Sequence, residues 1–514
     1  MKQKCTLVFQ QYSQHLWNAL LIFRRLNTTQ KNYYLYKSIH PTMTLPYDKA
    51  DKWSILDYSK RLLGKTLEEA IAPCQIEEIK GKGRLGQLVE KYFFGYDINS
   101  NPEADFSEAG LELKCTPLKL LTNRTLAIKE RLVCTMIDYS EDYKKPFEES
   151  HVYLKCMFML IIFYLHEAGV PVHQLKFIYS ILWQIPDKDL LIMKQDYETI
   201  IGKIKAGKAH ELSEGDTTYL GACRKGQKGD SDVFYTLPDG RIADLPAPKR
   251  AFSLKPQYMR TILDFAQKTG GQGTYNTSSL VQGYGPQLVS EKELERKSFE
   301  EILLDRFIPF YGKSYPEICK MIGMPETDAK QKYAMVSNAI ITENNRRGKN
   351  AEESDEFIKS GIRLKTFRIT KENKPKEALA FENIDYMGIV DEENWYDSRL
   401  YELFTSRFLF VVFKEYIEDE ISVYRLEKCF FWTMPQLDLA EAEYYWDNIK
   451  RNVAEDHIAP LYFYKESDNK KFHVRPKGRD SYDLTLTPNG TWAQKYCYWF
   501  NKSYVKEIVE RALK

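Results

Sequence analysis

The chain has 514 residues, of which 43% are hydrophobic and 28% are charged, and its formal net charge is +2. This composition excludes a disordered chain and predicts a soluble protein of two or three domains. Because the net charge is close to zero, any affinity for nucleic acid must come from local basic patches.

The predicted elements mix helices and strands along the chain. In chain order, residues 58–71 and 85–94 have helical apolar spacing, residues 110–115 and 157–165 have strand character, and residues 187–207 form a long amphipathic helix. This alternation predicts an α/β fold with an α+β-type mixed sheet.

The cysteines and the apolar runs bear on the compartment. Nine cysteines are spread along the chain without a Cys-x-x-Cys pair, which argues for reduced thiols and against zinc sites or disulfides. The apolar run at residues 156–165 is too short to cross a bilayer. The apolar residues 20–23 lack the small-residue cleavage site of a signal peptide. We therefore expect a cytoplasmic protein that makes no contact with membranes.

Short segments of the first half recur in the same order in the second half. The first half contains, in order, the segments LLGKTLEEA, AGLELKC, KERLVCTMIDY and CMFMLIIF. The second half contains similar segments in the same order, namely FYGKSYPEI, SGIRLKT, KEALAFENIDY and SRFLFVVF. Gly64 lies 50 positions before Lys114, and Gly312 lies 53 positions before Lys365. This order and spacing predict a duplicated module.

The duplication divides the chain into four expected regions. They are an N-terminal extension of unknown role at residues 1–44, a first copy at 45–268, a Gly/Ser-rich linker at 269–289 and a second copy at 290–514.

The segment ADFSEAGLELKCTPLK contains the pattern Asp-x6-Glu-x-Lys, formed by Asp105, Glu112 and Lys114. In a strand, Glu112 and Lys114 share one face. Converging carboxylates can hold Mg²⁺, and a neighbouring lysine can orient or help to deprotonate a water, or offset charge on a phosphate. Glu90, on the preceding helix, can reach the same cluster, so the predicted metal ligands are Glu90, Asp105 and Glu112. The alternative is a solvated strand face, because the pattern alone is weak.

The second copy keeps the frame of this pattern but changes its chemistry. By spacing, Glu356 takes the place of Asp105, Arg363 replaces Glu112, and Lys365 matches Lys114. The rough counterpart of Glu90 is Asn338 or Ala339, neither of which is an acid. We therefore expect the second copy to be catalytically degenerate.

The segments at residues 80–95, 104–119, 148–155 and 250–263 together resemble the MutH endonuclease family. The duplicated length resembles its Sau-type branch of GATC-cutting type II restriction enzymes, and the likeness covers about residues 45–510. The resemblance implies two tandem restriction-endonuclease-like domains. The catalytic residues that it implies are Glu90, Asp105, Glu112, Lys114 and Lys155.

The same resemblance implies that DNA bases are read by the loop after a strand in the segment TTYLGACRKGQKG, residues 217–229. Lysine or arginine there can bond guanine O6 and N7 in the major groove, whereas a solvated basic turn is the alternative. Cys223 and Arg224 depart from the Arg-Pro of the family, which Arg475 and Pro476 keep in the second copy. The residues expected at DNA are Arg224, Lys225, Gly226 and Lys255 in the first copy and Arg475 and Lys477 in the second.

The resemblance therefore predicts a type II restriction endonuclease that uses Mg²⁺ to hydrolyse phosphodiester bonds of double-stranded DNA at GATC sites. The second copy is expected to act as an allosteric DNA-binding domain. Expected partners are double-stranded DNA, a cognate DNA methyltransferase of the same restriction-modification system and, on two-site DNA, a transient homodimer unless the chain nicks the strands in sequence. The alternatives are a MutH-type mismatch-repair nicking endonuclease and a non-catalytic DNA-binding regulator.

Overall fold

A computed structural model describes residues 45–71, 84–96, 103–121, 124–226, 232–270, 274–275, 285–343, 350–468, 470–480 and 482–514. Contacts between residues divide the chain into a first unit that ends at Tyr58 and a second unit, Ser59–Lys514. In the first unit, Tyr47 stacks on Tyr58 with ring centroids 4.8 Å apart. Helix α1, Lys52–Ser59, reaches the division. The predicted extension at residues 1–44 lies outside the described residues.

The first copy of the module combines short helices, one long helix, two larger sheets and a two-stranded sheet in the described chain. Its helices are α2 Leu67–Ile71, α3 Arg84–Leu88, α4 His151–Cys156, α5 Asp187–Lys205 and α6 Pro256–Lys268. Its strands are β1 Glu112–Leu120, β2 Leu126–Ile128, β3 Leu132–Met136, β4 Phe158–Leu165, β5 Phe177–Gln184, β6 Leu220–Arg224, β7 Asp232–Val233, β8 Ala247–Pro248, β9 Arg250–Leu254 and β10 Thr274–Tyr275.

The main sheet of the first copy is mixed, as predicted. Its strand order in the described chain is β10-β5-β4-β1-β2, with β1 parallel to β4 and β4 antiparallel to β5. Strand β4 is buried over Met159–Phe163, since a continuous apolar run suits a strand covered on both faces. A second, antiparallel sheet has the order β3-β9-β6, and β7 and β8 form the two-stranded sheet. The predicted long helix is α5, and the predicted helix at residues 58–71 is broken before α2.

The second copy repeats this design. Its helices are α7 Glu291–Leu294, α8 Phe299–Asp305, α9 Tyr315–Ile322, α10 Lys332–Ile341, α11 Asp355–Ser360, α12 Tyr386–Asp391, α13 Arg399–Phe404, α14 Gln436–Ala454 and α15 Lys502–Leu513. Its strands are β11 Arg363–Ile369, β12 Leu379–Asn383, β13 Phe408–Glu418, β14 Ile421–Trp432, β15 Phe472–Pro476, β16 Leu484–Leu486, β17 Trp492–Gln494 and β18 Tyr496–Phe500.

The predicted duplication is confirmed by topology and by individual hydrogen bonds. The order β11-β13-β14 repeats β1-β4-β5 with the same strand directions, and β12-β18-β15 repeats β3-β9-β6. Helices α5 and α14 each have 19 residues and each follow a proline. Tyr258 donates to Asp189 at 2.8 Å on α5, and Tyr504 donates to Asp438 at 2.6 Å on α14.

Buried ion pairs join the two copies inside the second unit. Lys359 of α11 lies 2.9 Å from Asp189 of α5 and 2.7 Å from Asp355. Lys188 of α5 donates to Glu356 of α11 at 2.5 Å. One apolar cluster also contains side chains of both copies, from Leu118 of β1 to Cys429 of β14. The copies therefore share a core in the described chain.

The predicted linker is described only at its ends. Residues 271–273 and 276–284 lie outside the described residues, and β10 pairs in parallel with the edge of β5. Leu288 and Val289, at the end of the predicted linker, are buried and donate their N–H groups to Glu356. None of the described helices is long and apolar enough to cross a membrane.

Candidate active site

Strand β1 places Glu112 and Lys114 side by side. Leu111 and Leu113, which alternate with them, are 0% and 4% exposed and enter the core. Glu112 is itself only 2% exposed. A buried carboxylate on a central strand is costly unless it is paired, so its neighbours decide its role.

Asp105 reaches this face from the loop before β1. Its Oδ2 accepts a hydrogen bond from the N–H of Leu113 at 2.9 Å, and its own N–H donates to Glu112 Oε2 at 3.3 Å. The loop turns at Gly110 with φ 61°, a left-handed conformation that glycine adopts freely. Burial and the Glu112 charge raise the pKa of Asp105, despite the hydrogen bond from Leu113.

Glu90 approaches from a helix with a widened turn. Helix α3 continues into a π-type turn over Val89–Phe94, which buries Phe93 and Phe94 and leaves Glu90 half-buried. Such turns are frequent at functional sites. Burial, followed by the negative charge of Asp105, raises the pKa of Glu90 to about 7.

Two lysines share one oxygen of Glu112. Lys114 Nζ lies 2.6 Å and Lys155 Nζ 3.5 Å from Glu112 Oε1. Lys155 is on α4, which Ser150 caps by accepting a hydrogen bond from the N–H of Tyr153 at 3.2 Å. Burial alone would lower the pKa of Lys114, but the Glu112 carboxylate outweighs burial and holds that pKa above its ordinary value. Glu112 therefore favours the charged form of Lys114.

The donor set fits a hard divalent cation. Glu90, Asp105 and Glu112 supply carboxylate oxygens, the ligands that Mg²⁺ prefers. The raised pKa values of Glu90 and Asp105 show that negative charge is crowded and buried here, which a cation would relieve. Among the described residues, no three His, Cys, Asp or Glu side chains are already arranged around a metal position. Binding an ion would require Glu112 to turn from its lysine partners.

Comparison with known proteins agrees with this geometry. The family model of the DNA mismatch repair enzyme MutH matches residues 94–196 and 347–442, once in each copy. The chain is 30% identical over 510 residues to the type II restriction enzyme Sau3AI of Staphylococcus aureus, covering 90% of this chain and 99% of that enzyme. The chain belongs to the MutH-like endonuclease family. It is therefore a nuclease, as predicted.

Relatives that bear the MutH name match a single copy's worth of this MutH-like chain. The DNA mismatch repair protein MutH of Shewanella amazonensis is 28% identical over 223 residues, which is 43% of this chain and 96% of that protein. MutH of Vibrio cholerae is 29% identical over 185 residues, or 36% of this chain and 80% of that protein.

The second MutH-like copy keeps the position of one lysine that was predicted to be catalytic and changes two other predicted positions. Lys365 Nζ donates to Ala380 O at 3.1 Å, as Lys114 Nζ donates to Cys134 O at 3.4 Å. Arg363 begins β11 where Glu112 begins β1. Leu403 lies five positions after the capping serine of α13, the place that Lys155 has in α4.

The spacing predicted that Glu356 takes the place of Asp105 in the second copy. The structural counterpart of Asp105 is instead Glu352. Glu352 Oε1 accepts the N–H of Leu364 at 3.3 Å, which repeats the bond from Leu113 to Asp105. Glu356 instead lies in α11 and binds Lys188 of the first copy. Spacing misled because the acid before β11 lies on a short helical turn and not on a loop of the length found in the first copy.

Asn338 supports this correspondence on the side of Glu90. Its Oδ1 accepts the N–H of Ala351, next to Glu352, at 3.0 Å. Asn338 on α10 therefore lies near Glu352, the acid before β11. Glu90, which follows α3, lies near Asp105 in the same way. One carboxylate, Glu352, remains in the second copy where the first has three.

The predicted base-reading residues stand at the end of β6. Arg224 is half-buried, 3.8 Å from Asp232, with its guanidinium 6.0 Å from the ring centre of Tyr396. Lys225 is half-buried and its N–H donates to Lys249 O at 2.8 Å. Gly226 is exposed with φ 83°, and residues 227–231 lie outside the described chain.

Lys255 does not lie at the protein surface, contrary to the expectation that it contacts DNA. It is 6% exposed, and its Nζ donates to Thr217 O. Burial lowers the pKa of Lys255 to about 8. In the second copy Asn501 has this position and donates to Lys470 O. This placement favours a structural role, in which Lys255 ties the start of β6 to α6.

Arg475 and Lys477 are exposed at the end of β15 and flank one aromatic ring. The Arg475 guanidinium lies 4.9 Å and Lys477 Nζ 5.9 Å from the ring centre of Trp499. Arg475 also lies 3.4 Å from Glu466, and Lys477 Nζ donates to Phe381 O at 2.9 Å.

Sequence reasoning missed two groups that position these residues. Buried Asp196 accepts three backbone N–H groups, from residues 218–220, and so fixes the entry to β6. Arg131 pairs with Glu214 and donates to Tyr396 O of the second copy at 2.9 Å. No periodicity or motif marks these contacts, because their partners are distant in the sequence.

Proposed function

We propose that this chain is a type II restriction endonuclease that hydrolyses phosphodiester bonds of double-stranded DNA at GATC sites with Mg²⁺. The observation that carries the proposal is the joint placement of Glu90, Asp105 and Glu112 beside Lys114 and Lys155 in the first copy. The likeness to Sau3AI along nearly the whole chain supports the restriction role.

The proposed mechanism assigns roles to the residues of the first copy. Glu90, Asp105 and Glu112 would hold the cation, and when bound it supplies positive charge against the scissile phosphate and favours deprotonation of the attacking water. Glu112 holds the pKa of Lys114 above its ordinary value while the two are paired, and in the proposed mechanism Lys114 orients or helps to deprotonate that water, or offsets phosphate charge. Lys155, on the other side of Glu112, adds a second positive charge beside the phosphate.

The second copy would bind a further GATC site as an allosteric effector. Arg475 and Lys477 supply the exposed cations for that duplex. A contact that could transmit binding is Arg224 over the ring of Tyr396, since it joins the base-reading strand to the second copy. Deleting residues 290–514 is a poor test of this role, because Asp189 would lose the lysine that neutralises it.

Two other features follow from the proposal. Double-strand cleavage by one catalytic site per chain requires either a transient homodimer on two-site DNA or sequential nicking. A restriction enzyme in the cytoplasm also requires protection of host DNA, which a cognate methyltransferase would provide.

The alternatives are a MutH-type mismatch-repair nicking endonuclease and a non-catalytic DNA-binding regulator. One set of catalytic residues per chain is compatible with cutting one strand at a time, which favours the nicking alternative. The second copy argues against it, because single-module relatives carry out mismatch repair without such a copy. A regulator leaves the assembled carboxylates and lysines of the first copy without a purpose.

The deciding experiment compares Glu112→Gln with the intact chain on unmethylated plasmid in Mg²⁺, with the fragment ends sequenced. Glu130→Gln is the matched control, since its carboxylate is 43% exposed and 3.8 Å from Lys129. We expect double-strand ends at GATC from the intact chain and the control, and at least a thousandfold slower cleavage by Glu112→Gln.

Other reaction products would support a different function for the chain. Nicked circles without linear product would favour the mismatch-repair type of activity. Ends at a different sequence would refute GATC while leaving the nuclease. Tight DNA binding without any cleavage, in Mg²⁺ or Mn²⁺, would favour the regulator.

A further inference from the structure

Four basic side chains from other elements contact three consecutive residues of strand β12. Lys365 Nζ donates to Ala380 O at 3.1 Å, and Lys477 Nζ donates to Phe381 O at 2.9 Å. The next residue, Glu382, accepts from Arg399 Nε at 3.0 Å and lies 3.7 Å from Arg363. We call Arg363, Lys365, Arg399 and Lys477 the β12 basic cluster.

The β12 basic cluster occupies the place that the carboxylates and lysines have in the first copy. Arg363 and Lys365 are on β11 at the positions of Glu112 and Lys114 on β1. Glu382 has Thr135 as its counterpart on β3, so the acid that anchors both arginines is particular to the second copy. The exchange of a carboxylate for a guanidinium replaces a cation ligand by a cation.

Positive charge is in excess at this place. Burial, together with the neighbouring charge of Arg363, lowers the pKa of Lys365, and Lys477 acts in the same direction. Glu352, Glu382 and Glu402 offset part of this charge, but Glu382 is already shared by Arg363 and Arg399, and Glu402 also pairs with Arg260 at 2.6 Å. Arg363 and Arg399 side chains remain 30% and 56% exposed, so an anion can reach them.

We propose that the β12 basic cluster binds a backbone phosphate of duplex DNA without any divalent cation. The inference rests on the proposed function, in which duplex DNA is the ligand of the second copy. An arginine suits this task because its guanidinium can donate two hydrogen bonds to one phosphate. Binding by the second copy is then independent of metal, whereas the first copy needs an ion to lower the repulsion between its carboxylates and the phosphate.

The test measures binding of a short GATC duplex by the full chain carrying Glu112→Gln, in EDTA and in Ca²⁺. Adding Arg363→Gln keeps part of the aliphatic stem and an amide hydrogen-bond donor but removes the charge. We expect about tenfold weaker binding in EDTA and a plot of log affinity against log salt that is less steep by about one unit. Arg363→Lys should recover most of the affinity.

Arg368→Ala is the matched control, because Arg368 is on the same strand and pairs with Glu377 at 2.7 Å, away from the cluster. It should leave the affinity and the salt slope unaltered. Thermal unfolding of each variant checks that the fold is retained, and Arg399→Gln provides a second removal of charge should Arg363→Gln unfold. If the Glu112→Gln parent and the variants that add Arg363→Gln or Arg399→Gln all bind the duplex with equal affinity in EDTA, the proposal is overturned.

Arg475→Ala separates the two hypotheses, because Arg475 lies outside the β12 basic cluster, to which Lys477 belongs. If Arg475→Ala weakens binding in EDTA while Arg363→Gln and Arg399→Gln do not, the effector role survives and the phosphate site at Arg363 fails. If none of the variants weakens binding in EDTA, the effector role fails as well. If binding in EDTA is absent in the parent and appears only in Ca²⁺, metal independence is refuted.

Discussion

Glu112 is the residue on which the catalytic cluster converges. It lies beside Lys114 on its own strand, receives Lys155 from α4, and touches Asp105 through the backbone. A buried carboxylate with two ammonium partners holds both of them in place. Each lysine is therefore positioned by the same group that would bind the cation.

Lys155 gives a residue-scale prediction. Lys155→Met removes one positive charge beside the phosphate and keeps the packing of α4, so we expect kcat to fall about 10²–10³-fold with little change in stability. Lys194→Met is the control, since Lys194 is 41% exposed and pairs with Glu148. Single-turnover cleavage of plasmid DNA measures both. A change of less than threefold for Lys155→Met would exclude this lysine from the reaction.

At the scale of elements, α5 and α11 hold the two copies together through buried charges. Lys359 lies between Asp189 and Asp355, each of which is 1% exposed. Removing one member of a buried ion pair leaves a charge without compensation, which costs more than the pair itself contributes.

Lys359→Ala should therefore destabilise the protein by about 3–5 kcal/mol. Lys371→Ala, on a lysine whose side chain is 65% exposed, should change stability by less than about 0.5 kcal/mol. Urea denaturation followed by circular dichroism measures both. Equal midpoints for the two variants would show that the contact between α5 and α11 contributes little.

Strand β15 carries a second element-scale prediction. His473 is 0% exposed, and burial lowers its pKa to about 4. Because the unfolded histidine has the higher pKa, its contribution to stability is complete above pH 6.5 and is lost as the pH falls towards 4. At pH 5 the loss is about 2 kcal/mol.

His473→Phe removes this titration and keeps a flat ring against Trp499. The drop in Tm between pH 7 and pH 5 should thus be smaller for the variant than for the parent. Differential scanning calorimetry at the two pH values measures it. Parallel pH profiles for the two proteins would mean that His473 is not protonated on unfolding.

At the scale of the whole molecule, both copies share one apolar cluster and several buried ion pairs within residues 59–514. Point substitutions therefore test the second copy better than truncation does. The residues to change are those that are exposed and carry no interdomain contact, namely Arg475 and Lys477.

We expect Arg475→Ala with Lys477→Ala to abolish the rate advantage of a two-site plasmid over a one-site plasmid. The control is Arg511→Ala, on a side chain that is 65% exposed at the end of the chain. Initial cleavage rates on the two plasmids provide the measurement. A rate ratio that stays above one in the double variant would refute an effector role for these residues.

The sequence by itself determined the duplicated module and the mixed sheet, and it predicted the residues of the candidate catalytic cluster. Each of these predictions depends on a local signal: the apolar run of β4, the alternation of residues around Glu112, or short sequence segments that recur in the same order. Strand alternation alone predicts that Glu112 and Lys114 share a face, and the structure has them 2.6 Å apart. Local signals therefore carried most of the fold, whereas the candidate active-site residues were predicted from one short motif together with the resemblance to the MutH family.

Only the tertiary structure decided which acid answers Asp105 in the second copy and whether Lys255 is exposed. Spacing favoured Glu356, but hydrogen bonding identifies Glu352, because a change in the path of the chain before β11 breaks the count of residues. Lys255 lies in a basic, polar-looking segment and is nevertheless buried against Thr217. Exposure and partnership are set by segments far away in the sequence, and no local pattern encodes them.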